Sequence, residues 1–257
     1  MFKIHYSTYI FLLLASLSAS FIPCLIIFTL IIIHEIGHYI FAKILNVEVN
    51  NISIYPLGGI TKMNIPLNYP QINEFIILIA GPTFQQLAYL LLKLCLPNYT
   101  EIIYMYHYQI LIFNLLPIYP LDGGKILNLL FTINIPYKKS LYLSTIISYM
   151  VLLLILIKNI KQLKINILVM LIFLLYKIIK ENKKITSLYE KFILERYLNN
   201  YRFKDTKLIN NKYDFYRNKS HIIKENNKYY YEKDYLYRKY KKIKKTYWLL
   251  KYIFAII

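Results

Sequence analysis

Residues 8–45 are almost continuously apolar, and nothing else in the chain limits its fold so severely. As one helix they would reach about 57 Å at 1.5 Å per residue, nearly twice the thickness of a bilayer's hydrocarbon core. The run therefore reads as two membrane spans. Ser16, Ser18, Ser20 and then Pro23 mark the turn between a first span at 6–20 and a second at 23–45. The small residues at 15–20 also imitate a signal-peptide cleavage site, but the basic flank is Lys3 alone and the next span begins at once, so a retained first span is expected.

Further apolar stretches lie at 74–97, 102–121, 139–157 and 164–180. With hydrophobic residues making up 57% of the chain, they imply an α-helical polytopic membrane protein of six spans rather than a soluble domain. Between spans two and three the pattern shortens to alternating pieces at 47–49 and 52–55, followed by Pro56-Leu57-Gly58-Gly59-Ile60. These read as a short membrane-associated β-hairpin, with an interfacial loop as the alternative. Gly58 and Gly59 would let another backbone come close.

Charge divides the chain. Residues 1–180 carry 12 Lys/Arg and five carboxylates, whereas 181–257 carry 20 against eight, making up the net +19. A small basic C-terminal region at 181–257 is thus expected beyond an intramembrane domain at 1–180. Beside a membrane this charge fits a cytoplasmic segment facing anionic lipid, and no nucleic acid is expected. Cys24 and Cys95 are too few for a disulfide framework or a cysteine metal cluster.

Within span two stands His34-Glu35-Ile36-Gly37-His38. Two histidines four apart share one helical face and leave the intervening glutamate beside a metal they could bind. Ionisable groups at membrane depth are costly and functional by default. A hydrolytic zinc takes three protein ligands and keeps a position for water, so a third ligand must come from elsewhere. Glu48, Glu74 and Glu101 sit at span ends where charge is cheap, which leaves Asp122, in the Pro- and Gly-rich segment after span four; its alternative reading is a turn-forming Asp-Gly. Glu35 is the expected base. Asn114 could donate to an oxyanion or hold a substrate backbone, or simply end a helix before Pro117. His5, His107 and His221 read as surface histidines rather than ligands.

A cytoplasmic N-terminus makes spans two and four run in the same direction, so His34, His38 and Asp122 can meet. Lys43, Lys62, Lys125, Lys138, Lys139 and the tail then lie inside, with Lys158, Lys161 and Lys164 outside against the rule. Both termini are expected in the cytoplasm. A helical substrate must be unwound before cleavage, and the hairpin could offer an edge to an extended strand, in which case prolines at Ile52 or Ile54 should abolish cleavage.

The ordered motifs His34-Glu35-Ile36-Gly37-His38, Pro56-Leu57-Gly58-Gly59, Ala80-Gly81-Pro82 and Asn114 through Lys125 resemble the site-2 protease family of intramembrane zinc metalloproteases over roughly residues 3–180. The resemblance implies one zinc on His34, His38 and Asp122, catalysis by Glu35, and substrate contacts from Asn114, Pro117, Gly58 and Gly59. The likeness is greatest to the family's sporulation branch, whose members process the pro-form of sigma factor K and carry a cytoplasmic CBS domain. That branch implies a pro-sigma factor as substrate, inhibitory or regulatory membrane proteins as partners, and the outer forespore membrane as location. Residues 192–197 and 215–223 resemble parts of that branch's tail, here in truncated form. Gln85 and Gln86 stand near where many relatives carry asparagine. The same chemistry on an anti-sigma factor or signal-peptide remnant is the alternative. So is an idle relative or a metal transporter, although a transporter has no need of Glu35.

Overall fold

The computed structural model describes residues 2–6, 8–10, 13, 21–55, 58–162, 164–199, 201, 203–211, 213–225 and 227–241. The expected first span falls largely outside them, as do Pro56 and Leu57. Residues Phe2–Ile4 form a short strand, β1, which the hydropathy pattern hides.

Helix α1 (Phe21–Ile44) carries Pro23 in its first turn, where a missing N–H costs nothing. It ends where Asn46 takes a left-handed φ of 56° and the Val47 N–H reaches back to the Ala42 carbonyl at 2.8 Å. Strands β2 (Val49–Tyr55) and β3 (Gly58–Met63) then form the antiparallel hairpin. β1 joins the opposite side of β2 in parallel, pairing Phe2 with Ile52, and makes β2 the central strand. The edge open among the described residues on the hairpin side therefore belongs to β3. Prolines at Ile52 or Ile54 would break the middle of the sheet rather than its edge, so that test of strand addition does not hold.

Helices α2 (Gln71–Cys95) and α3 (Thr100–Leu115) follow. The span expected at 102–121 stops at Leu115 because Pro117 and Pro120 supply no N–H to continue it. Asp122 instead opens a separate helix, α4 (Asp122–Asn134), unforeseen from sequence, and Gly123 and Gly124 lie in its first turn rather than in broken backbone. They are needed there: a Cβ on Gly123 would lie 2.2 Å from the Leu115 carbonyl oxygen. The Tyr119 N–H in the intervening loop donates to Ser148 Oγ on α5 (Tyr137–Asn159) at 2.8 Å.

Among the described residues, three helices, α1, α2 and α5, are long and apolar enough to cross a membrane. α6 (Ile165–Leu198) runs 34 residues, well past the expected end at 180. Its second half enters a small lobe in which β4 (Thr206–Ile209) lies parallel to β5 (Ser220–Glu225), β5 antiparallel to β6 (Lys228–Tyr231), and α7 (Glu232–Tyr240) closes the unit. Tyr189, Phe192 and Ile193 of α6, Phe215, Ile223 and Leu236 form its core, and Tyr137 and Leu141 of α5 join it. Elsewhere, Leu30, Ala88 and Ile103 bind α1, α2 and α3 together around the level of the histidines.

Candidate metal centre and active site

The site forms where α1, α2 and the start of α4 meet the hairpin. His34 and His38 project from one face of α1, one turn apart and both buried. α2 can lie close against that face because Gly81 has no side chain; a Cβ there would stand 2.3 Å from His38 Nε2 and 2.8 Å from His34 Nε2. The loop after α3 delivers Asp122, likewise buried, at the N-terminus of α4. Its Oδ2 lies 3.1 Å from His34 Nε2 and 3.0 Å from His38 Nε2, and the two Nε2 atoms are 3.2 Å apart.

Hydrogen bonding at the back of each imidazole fixes what this triangle contains. The His38 Nδ1–H donates to the Ile77 carbonyl at 2.8 Å. Gln85 Nε2 donates to the His107 carbonyl at 3.0 Å, which turns its Oε1 toward His34 Nδ1 at 2.9 Å, so His34 also donates from Nδ1. In its neutral form each ring therefore presents an Nε2 lone pair, and both Nε2 atoms face a carboxylate oxygen. In that form three electron-pair donors converge on one point, an arrangement that repels itself unless a cation sits at its centre. Four-coordinate zinc, with bonds of about 2.0–2.1 Å, holds neighbouring ligand atoms roughly 3.3 Å apart, close to the three separations here. The donor set of two imidazoles and one carboxylate, leaving a fourth position open, is that of a hydrolytic zinc site. Among the described residues, His34, His38 and Asp122 are the group placed to hold a metal.

Asp122 is held from its other oxygen by Lys125, Nζ to Oδ1 3.2 Å. Glu35, also buried, points toward the hairpin: Thr61 Oγ1 of β3 donates to its Oε2 at 2.6 Å. Gly59 makes room for it, since a Cβ at that position would meet Glu35 Cγ at 2.3 Å. Gly58, with φ of 148°, has open space around it. Asn114 lies half-buried in the last turn of α3, and Pro117 half-buried in the loop leading to Asp122. The structure thus gathers His34, Glu35, His38, Asp122 and Gly59.

Sequence reasoning missed Thr61 and Lys125, and left Gln85 without a role. It also misplaced two histidines. His107 and His221 are 0% and 1% exposed rather than at the surface, because Tyr89 stacks on the first and Phe215 and Tyr216 pack around the second.

Residues 22–98 and 91–157, together more than half of the chain, match the model of peptidase family M50. The chain belongs to that family. This M50 peptidase is 31% identical over 205 residues to stage IV sporulation protein FB of Bacillus subtilis, a match covering 76% of this chain and 71% of that protein. It is 28% identical to a zinc metalloprotease of Methanocaldococcus jannaschii over 125 residues, 45% of this chain and 36% of the relative. Its fold is similar to the solved site-2 protease from the same archaeon, with a TM-score of 0.55 at 22% identity, covering 70% of this chain and 89% of that one.

Proposed function

We propose that this M50 peptidase is an intramembrane zinc endopeptidase that cuts a membrane-associated protein precursor. The convergence of His34 Nε2, His38 Nε2 and Asp122 Oδ2 beside Glu35, midway along the 24-residue apolar helix α1, carries the reading. Bound at His34, His38 and Asp122, zinc would acidify a water molecule and polarise the scissile carbonyl. Glu35 accepts the water's proton and returns it to the leaving amine. Thr61 holds that carboxylate on the hairpin side, where an extended substrate would arrive, and Lys125 keeps Asp122 ionised and turned inward. The open edge of β3, beginning at Gly58 and Gly59, takes the substrate as an added strand, with Asn114 and Pro117 bordering it.

The precursor implied by the sporulation resemblance is pro-sigma factor K, and the 31% identity to stage IV sporulation protein FB supports it. The same reading places the chain as a six-span protein of the outer forespore membrane, both termini cytoplasmic, with inhibitory membrane proteins as regulators. The basic tail, residues 181–257, stands in it as a truncated CBS-like region. The test is co-expression with pro-sigma factor K. Glu35→Gln should abolish cleavage and retain zinc, and Asp122→Ala should lose both; cleavage by Glu35→Gln would refute the protease reading. Zinc-dependent cleavage of an anti-sigma factor, with pro-sigma factor K left uncut, would move the assignment to that substrate.

A further inference from the structure

Behind the ligands lies a chain of neutral polar groups with no part in the proposed chemistry. Gln85 is completely buried on α2, and both ends of its amide are engaged. Its Oε1 accepts from His34 Nδ1 at 2.9 Å, and its Nε2 donates to the His107 carbonyl at 3.0 Å, with His107 Nδ1 at 3.4 Å. His107, completely buried on α3, is itself fixed: its Nε2 lies 3.0 Å from Gln86 Oε1, and the Tyr89 ring stacks on it with centroids 4.5 Å apart. The carbonyl can only accept, so it sets the direction of the amide. The amide in turn sets which nitrogen of His34 carries the proton. Had the amide turned over, its NH₂ would face Nδ1, and the His34 proton would move to Nε2, the atom that must coordinate.

We infer that Gln85, anchored by His107, is a positioning residue for the metal: it locks His34 in the tautomer and orientation whose Nε2 lone pair faces the ion. His38 receives the same service from the Ile77 carbonyl of the same helix, so α2 orients both imidazoles. Outer partners of this kind change metal affinity by roughly 10–100-fold when removed. A glutamate at position 85 in its neutral form would keep the pattern, its hydroxyl donating to the His107 carbonyl and its carbonyl accepting from His34.

The inference rests on the metal site proposed above, and the test separates the two. The full-length protein, purified in detergent and loaded with zinc, is titrated with a chelator while its thermal unfolding is followed. Gln85→Leu should surrender zinc at roughly 10–100-fold lower chelator concentration, and Gln85→Glu should retain it as wild type does. His107→Phe, which keeps the carbonyl but loses the ring, should fall between. A folded Gln85→Leu that retains zinc like wild type overturns the positioning role. If Gln85→Leu does not fold, the decision passes to Gln85→Glu, and weaker retention there overturns it. Failure of wild type to hold zinc, or retention by His34→Ala, strikes the metal site itself.

Discussion

At the scale of single residues, the centre depends on atoms that are absent as much as on those present. Gly81→Ala would push a methyl group into both imidazoles and is expected to abolish zinc binding; metal content by mass spectrometry checks it. Gly59→Ala meets Glu35 instead, so zinc should stay while cleavage is lost. Thr61 gives a graded version of the same effect. Its hydrogen bond to a carboxylate is worth about 1.5–3 kcal/mol, so Thr61→Val should slow cleavage about ten-fold or more at unchanged zinc content, and Thr61→Ser should restore it. Equal rates for valine and serine would show that the hydroxyl does not orient the base. None of these contacts has a signature in the chain. A His-Glu-x-x-His pattern is legible because one helical turn brings its members together, whereas Thr61 meets Glu35 only through the path of the hairpin.

At the scale of elements, hydropathy located α1, α2 and α5 to within a few residues, since an apolar run of that length has few other folds open to it. It failed where backbone geometry rather than polarity decides: the stop at Pro117, the new start at Asp122, and the pairing of β1 beside β2. The last changes the substrate hypothesis. With β2 enclosed, a cysteine at Ile60, 38% exposed on β3, should crosslink to a cysteine near the scissile bond of a substrate trapped by Glu35→Gln. A cysteine at Ile52, buried in the central strand, should not. Absence of the Ile60 crosslink, or equal crosslinking from both, would remove the β3 edge from the mechanism.

At the scale of the whole molecule, two arginines tie the C-terminal lobe to the loop that leaves β3. Arg217 donates to the carbonyls of Leu67 at 2.7 Å and Tyr69 at 3.3 Å and pairs with Glu74. Arg196 reaches Asn68 Oδ1 at 3.2 Å, the Tyr216 and Lys219 carbonyls, and Glu232. Arg217→Ala would strand the mostly buried Glu74 carboxylate, at a cost of about 3 kcal/mol, and lysine would not replace a planar group meeting three acceptors. Thermal unfolding in detergent should show both variants less stable than wild type, with zinc retained at equal temperature below the transition.

The lobe also carries an acid-sensitive joint. The His221 Nδ1–H donates to Glu232 at 2.8 Å, and its Nε2 accepts the Tyr216 N–H at 2.8 Å, so a second ring proton would face another N–H. Burial pushes the His221 imidazole below its ordinary value, against the pull of Glu232 and with the push of Arg196 and Lys207. Burial acts to raise the Glu232 carboxyl, but hydrogen bonds from His221 and Arg196 hold it below its ordinary value. At both groups the folded lobe binds fewer protons than the unfolded chain. Its stability is therefore full above the ordinary histidine range near pH 6.5 and declines as pH falls through the depressed values. Hydrogen exchange, corrected for intrinsic rate, should show protection of the Tyr216 amide falling between about pH 7 and pH 5. Protection that stays constant or rises would contradict it.

The sequence alone determined what local physics can encode: apolar runs long enough for helices in a membrane, a strand pair between them, and two histidines and a glutamate sharing a turn. It also narrowed the third donor to Asp122, because other carboxylates before the tail stood where charge is cheap. Only the tertiary structure decided which nitrogen of each histidine faces inward, which strand keeps an open edge, and how the lobe is clamped. Those outcomes rest on single polar contacts between residues 20 to 150 positions apart. Such contacts leave no periodicity in the chain, and come into being only when the packing of the helices brings the partners together.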